Sequence, residues 1–159
     1  MAESVRELIM KQVQATLESI TTANGYATTL NAVERLQQGG QSHRPPMAIV
    51  IEGDDVPIDR TQQDSGGMAT ERDLEIGIVL EVMQDEEIDA RSASEVMNEL
   101  IADVQRAMDA DVSRGGHALN TEEIDTGAVI VQEGKKKLLC PMAYRIRYRH
   151  LRTDPRVEV

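Results

Sequence analysis

The chain has 159 residues, the size of one domain, and sets 17 Lys and Arg against 28 Asp and Glu for a formal net charge of −11. That balance disfavours a protein that grips nucleic acid by neutralising phosphates, or one held on an anionic membrane surface. With 40% apolar and 28% charged residues the composition is globular, and the lone Cys140 excludes an internal disulfide and fits a reducing compartment.

In chain order, Ser4 to Ala23 predicts a helix: Val5, Leu8, Ile9, Val13, Leu17 and Ile20 recur every three or four residues and share one face. Ser4 with Glu7 has capping-box spacing, and Asn24-Gly25 supplies the stop. The start MAESVRELIMKQ shows no basic segment followed by an apolar run, so no secretory signal is expected. Tyr26 to Arg35 has the β-branched content of a strand. After a polar loop, Pro45-Pro46 leads into Met47 to Ile51, an unbroken apolar run that predicts a strand buried on both faces.

Residues 54–69 have no period, and a loop of that length inside a compact domain is expected to be either functional or disordered when alone. Thr70 to Met83 alternates, with Leu74, Ile76, Ile78, Leu80 and Val82 facing one way. Ala90 to Asp109 predicts a second helix with Ala93, Val96, Met97, Leu100, Ile101, Val104 and Met108 as its stripe and Ser92/Glu95 as its capping box. Ile124 to Gln132 and Leu138 to Leu151 predict two strands joined at Glu133 to Lys136, and 152–159 predicts a frayed tail. The order predicts an α+β fold: an antiparallel or mixed sheet with two amphipathic helices on one face, all within a single domain over 1–151.

Chemistry-bearing clusters are few. His43, His117 and His150 have no ligand partner at metal-site spacing, and no dinucleotide, phosphate-loop or nucleophile-elbow motif occurs. Cys140 reads as a buried inert thiol, with a Cys–His nucleophile pair involving His117 or His150 as the enzymatic alternative. Asp54-Asp55 and Asp85-Glu86-Glu87 read as solvated turns, with a hard-cation site as the alternative, though neither has the spacing of a helix–loop–helix calcium loop. The glycine pairs 39–40, 66–67 and 115–116 read as turns.

In the last strand Arg145, Arg147 and Arg149 form a row of guanidinium groups opposite Tyr144, Ile146 and Tyr148. That row reads either as a solvated outer face or as a contact with a carboxylate surface on a neighbouring copy, with Asp54, Asp55, Glu86 and Glu87 as acidic candidates. On the second reading, replacing all three arginines by Glu weakens assembly and leaves the monomer folded. Met47 to Ile51 and Ala128 to Val131 are apolar at odd and even positions alike, so a second subunit is expected to cover what the helices leave bare.

The order of these strings resembles the tail terminator (tail completion) proteins of long-tailed bacteriophages. The features that carry the resemblance are the amphipathic helix Val5 to Ile20, Pro45-Pro46 with the strand Met47 to Ile51, and the loop 54–69. They continue with the strand Leu74 to Met83, the helix Ser92 to Met108 ending in Asp109-Ala-Asp111 before Gly115-Gly116, and the closing strand Tyr144 to Tyr148. The resemblance implies a non-enzymatic virion protein without cofactor or metal. It would form a homo-oligomeric ring, commonly of six copies, at the head-proximal end of the tail, after assembly in the host cytoplasm. Its implied partners are the tail tube protein and a neck or head–tail connector protein, with DNA passing through unbound and no membrane contact. Another neck or connector protein of the phage, or a small cytoplasmic α+β binding module with a deep polar pocket, are the other readings.

Overall fold

The computed structural model describes residues 2–36, 44–58, 69–84 and 91–159. Most of the expected loop 54–69, together with His43, Glu86, Glu87 and the glycine pairs 39–40 and 66–67, lies outside the described residues. The elements run α1 (Val5–Glu18), β1 (Ala32–Arg35), β2 (Met47–Pro57), β3 (Ala69–Met83), α2 (Ala93–Ala110), β4 (Asn120–Thr126), β5 (Ile130–Gln132) and β6 (Lys137–Leu151). Strand order is β1-β2-β3-β6-β4, with β5 also paired to β6. Since β3 occupies one side of β6 along its whole length, β4 and β5 share the other side. The β1–β2 pair is parallel and the rest are antiparallel, so the sheet is mixed and the fold is α+β.

Both helices pack on one sheet face, as their stripes predict. Val5, Ile9, Val13 and Leu17 of α1 and Val96, Met97, Leu100 and Val104 of α2 join Ala48, Val50, Leu74 to Val82 on even positions, and Leu138 to Tyr148 on even positions, in one buried cluster. A 14-residue helix such as α1 is marginal alone, so this burial, worth about 1.5–3 kcal/mol per large aliphatic side chain, is what holds it. Ser4 caps α1 through the Glu7 amide at 3.2 Å, and the full reciprocal box forms at Ser92 and Glu95.

Several expected boundaries move. Helix α1 ends at Glu18 and not at Ala23, giving way to a short 3-10 turn at Thr22–Asn24. Strand β2 runs to Pro57 and β3 starts at Ala69, so residues 54–57 and 69 of the expected loop are strand, with 55–57 paired across the β2–β3 hairpin and 69 paired to β6. Three more have a visible reason. The strand expected from Tyr26 starts only at Ala32, because the Asp103 carboxylate takes the amides of Ala27 and Thr28 and the Thr28 hydroxyl. The strand expected over Ile124 to Gln132 is split into β4 and β5. Pro141 accepts from the Gly127 amide on that flank of β6 and has no N–H to return, and a Cβ at Gly127 would lie 2.8 Å from the Pro141 ring. The expected frayed tail folds back instead: Val5 donates to the Pro155 carbonyl at 3.1 Å, Leu151 to that of Val157 at 2.8 Å, and Glu158 meets His117.

Candidate subunit and partner interface

The odd positions of β3 and β6 point away from the helices, and there the arginine row finds partners in its own chain. The register sets Glu71 opposite Arg149, Asp73 opposite Arg147 and Glu75 opposite Arg145. Arg147 forks onto Asp73 with Nε at 2.9 Å and Nη2 at 3.1 Å. Arg149 places Nε and Nη2 at 3.1 and 3.0 Å from one oxygen of Glu71. Arg145 reaches Glu75 at 3.3 Å and Glu122 of β4 at 3.4 Å. The row is thus half of a cross-strand ionic ladder. These carboxylates belong to the same copy, so the row is neither a bare solvated face nor free for a neighbour, and a triple Glu replacement would set like charges face to face within one copy. The signal was Glu71, Asp73 and Glu75 alternating two residues apart.

Asp54 and Asp55 part company. The register slips between Glu52 and Asp55, and a Cβ at Gly53 would come within 2.9 Å of the Glu75 carbonyl oxygen, so this bulge is built on a glycine. One extra residue turns Asp55 to the helix side and leaves Asp54 exposed. Asp55 accepts from Arg72 Nε at 2.7 Å, the Tyr148 hydroxyl at 2.7 Å and Arg6 at 3.2 Å. Arg35 continues the network, bonding Glu7 at 2.8 Å and Glu52 at 3.1 Å. The Arg35 hydrogen bond holds the Glu7 carboxyl below its usual range, against a smaller opposing effect of burial. Burial, and then the Asp55 hydrogen bond, push the Tyr148 hydroxyl up. Asp55 therefore ties α1 to the base of the β2–β3 hairpin and is not free to meet another subunit.

Beyond the ladder, and short of the Lys137–Glu81 pair at 3.0 Å and the buried Met47, the middle of the outer face is apolar. Ile49, Ile51, Val79, Leu139 and Ala143 project there half-buried, and no helix lies over them among the described residues. The flanks of the sheet add Val129, Ile130 and Val131, exposed by 44%, 54% and 46%, beside β6, and Leu36 and Val56, exposed by 64% and 56%, at the β1–β2 end.

The enzymatic alternative loses its geometry. Cys140 is fully buried, its thiol lies 3.6 Å from the Gly127 carbonyl oxygen, and burial raises its pKa. Ten residues of strand, roughly 33 Å, separate Cys140 from His150. His117 lines a cleft with Arg149 and Glu158, at the same far end of β6. In that cleft His117 is engaged with Glu158 and Arg149 with Glu71. No three His, Cys, Asp or Glu side chains gather as a metal site among the described residues.

Sequence reasoning missed Arg114. Its guanidinium is buried and donates to the Met108 and Asp111 carbonyls, closing the end of α2, while its Nε and the Tyr144 hydroxyl are buried with no hydrogen-bond partner among the described residues. Burial lowers the Arg114 pKa and raises that of Tyr144. A basic residue just past a helix end was the available signal.

No family model matches the chain, and no curated protein matches it. Among solved structures, the chain is similar to one in the "Virion of native gene transfer agent (GTA) particle", at 14% identity and a TM-score of 0.46, over 92% of this chain and 95% of that one.

Proposed function

We propose that the protein is a non-enzymatic structural component of a phage-type virion, a ring-forming tail terminator that caps the tail tube and offers a surface for joining the head. The observation that carries this reading is the half-covered sheet: the helices shield one face, while the other keeps Ile49, Ile51, Val79 and Leu139 without a covering element among the described residues. Apolar surface of that kind on a soluble chain marks an interaction face. Two further features support it. The element order found in the structure follows the order on which the resemblance to tail terminators rests. The net charge of −11 suits a collar through which DNA passes without being held.

The test is assembly itself. Purified protein, alone and mixed with tail tubes, is examined by light scattering and electron microscopy. Closed rings, seated on tube ends, are expected. A monomer under both conditions overturns the proposal, and rings that bind only a head-side connector reassign the protein to the neck.

A further inference from the structure

We propose that successive copies join head to tail through the two open flanks of the sheet, the β5 flank of one copy meeting the β1–β2 flank of the next. This inference rests on the ring reading above and names the surfaces that close the ring.

Each flank combines exposed apolar side chains with charge: two lysines against Glu133 in the turn after β5, and Asp54 on the β1–β2 side. On the first, β5 pairs only with β6, so its other backbone edge faces solvent among the described residues. Val129, Ile130 and Val131 are exposed there, and the following turn carries Lys135 and Lys136, both exposed. On the second, β1 covers β2 only from Met47 to Val50, and the rest of β2 runs on past it with Val56 exposed. Leu36 stands beside it, 64% exposed, and Asp54 is turned outward by the bulge with no hydrogen bond or ion pair to its carboxylate among the described residues.

The flanks cannot satisfy each other within one copy, because β2, β3 and β6 lie between β1 and β5. Four strand spacings of about 4.8 Å keep them roughly 19 Å apart. They can meet between copies. An interface of two different patches repeats around an axis and closes into a ring when the rotation allows. A second copy suits the β5 flank better than DNA does: phosphates would meet Lys135 and leave three aliphatic side chains wet, whereas the β1–β2 flank offers both apolar and acidic groups.

The experiment compares the wild-type chain with Ile130→Asp, Leu36→Asp and Lys135→Glu by light scattering across a concentration series, with thermal unfolding as the folding control. Each aspartate variant is expected to keep its unfolding temperature and to raise the concentration needed for ring assembly by at least about tenfold. Lys135→Glu is expected to weaken the ring, and adding Asp54→Lys to restore it. A wild-type chain that never forms rings overturns the ring reading, and this inference falls with it. A wild-type ring whose mass survives Ile130→Asp and Leu36→Asp overturns the flank assignment alone. Rings intact while tube binding is lost would assign the β5 flank to the tube protein, which also overturns it.

Discussion

Strands β3 and β6 carry two ionic networks back to back at one end of the sheet, and their surroundings separate them. On the outer face Arg145, Arg147 and Arg149 pair with Glu75, Asp73 and Glu71, with the arginine side chains 35–37% exposed. On the inner face, one residue away along the same strands, Arg72 and Tyr148 converge on Asp55, whose side chain is 10% exposed. The residue types are alike, and water decides what each network does. The ladder is exposed at its Arg145–Glu75 end, where a pair gains little and is screened by salt, and sheltered at Glu71, whose side chain is 8% exposed; the hub is sheltered at Asp55 and would leave buried partners unmet if broken. The ladder reads as a strand-register device and a charged border to the apolar half of the outer face, and the hub as the fastening of α1 to the sheet.

The contrast can be broken at several points. Asp55→Ala should do most: with Arg72 and the Tyr148 hydroxyl losing their acceptor, unfolding free energy should drop by about 3 kcal/mol in urea titration. The triple Glu replacement at 145, 147 and 149 should follow, costing about 2 kcal/mol in the monomer, and reversing Glu71, Asp73 and Glu75 to Arg should recover most of it. If the triple variant instead unfolds like wild type, the ladder contributes nothing and the row is only a solvated face. Raising salt from about 0.05 to 1 M should narrow the gap for Arg147→Ala and leave that for Asp55→Ala in place.

Acid sharpens the comparison further. Because Glu7 is held below its usual range when folded, its pairing with Arg35 contributes stability above the ordinary carboxylate pKa and loses it as pH falls through the lowered value. Glu7→Gln should therefore flatten the fall in melting temperature below about pH 4.5, with little change near pH 7 beyond a constant offset. Least of all, Arg145→Ala should cost under about 0.5 kcal/mol, since it is 37% exposed and its partners Glu75 and Glu122 are half exposed.

How much of this was legible in the sequence follows from range. The stripes of both helices and the alternation of β3 and β6 are local patterns, and they appear where predicted, except that Met10 is buried in α1 where Leu8 was expected and Ile101 of α2 is only half-buried. The ladder was half legible: both alternating charge rows stand in the sequence, but which strand lies beside which is a property of the whole fold. The Asp55 hub was hidden, because a single inserted residue at Gly53 reverses which of two adjacent aspartates faces inward. The late start of β1 was hidden too, since Asp103 acts on Thr28 across 75 positions of sequence. The docked C-terminus depends on the Val5 amide at the other end of the chain.

The ring at Pro141 has a consequence for how far any pairing can spread. By interrupting its neighbour, it leaves that border as two short segments, the nearer only three residues long. Fibrillar stacking draws on uninterrupted, weakly charged stretches of about six or seven residues; β5 is too short for that, and the seven residues of β4 carry Glu122, Glu123 and Asp125 and a register shift between Glu123 and Asp125. A proline placed in mid-strand thus keeps the greasy part of the border, β5, too brief to template endless growth, while the longer part is charged.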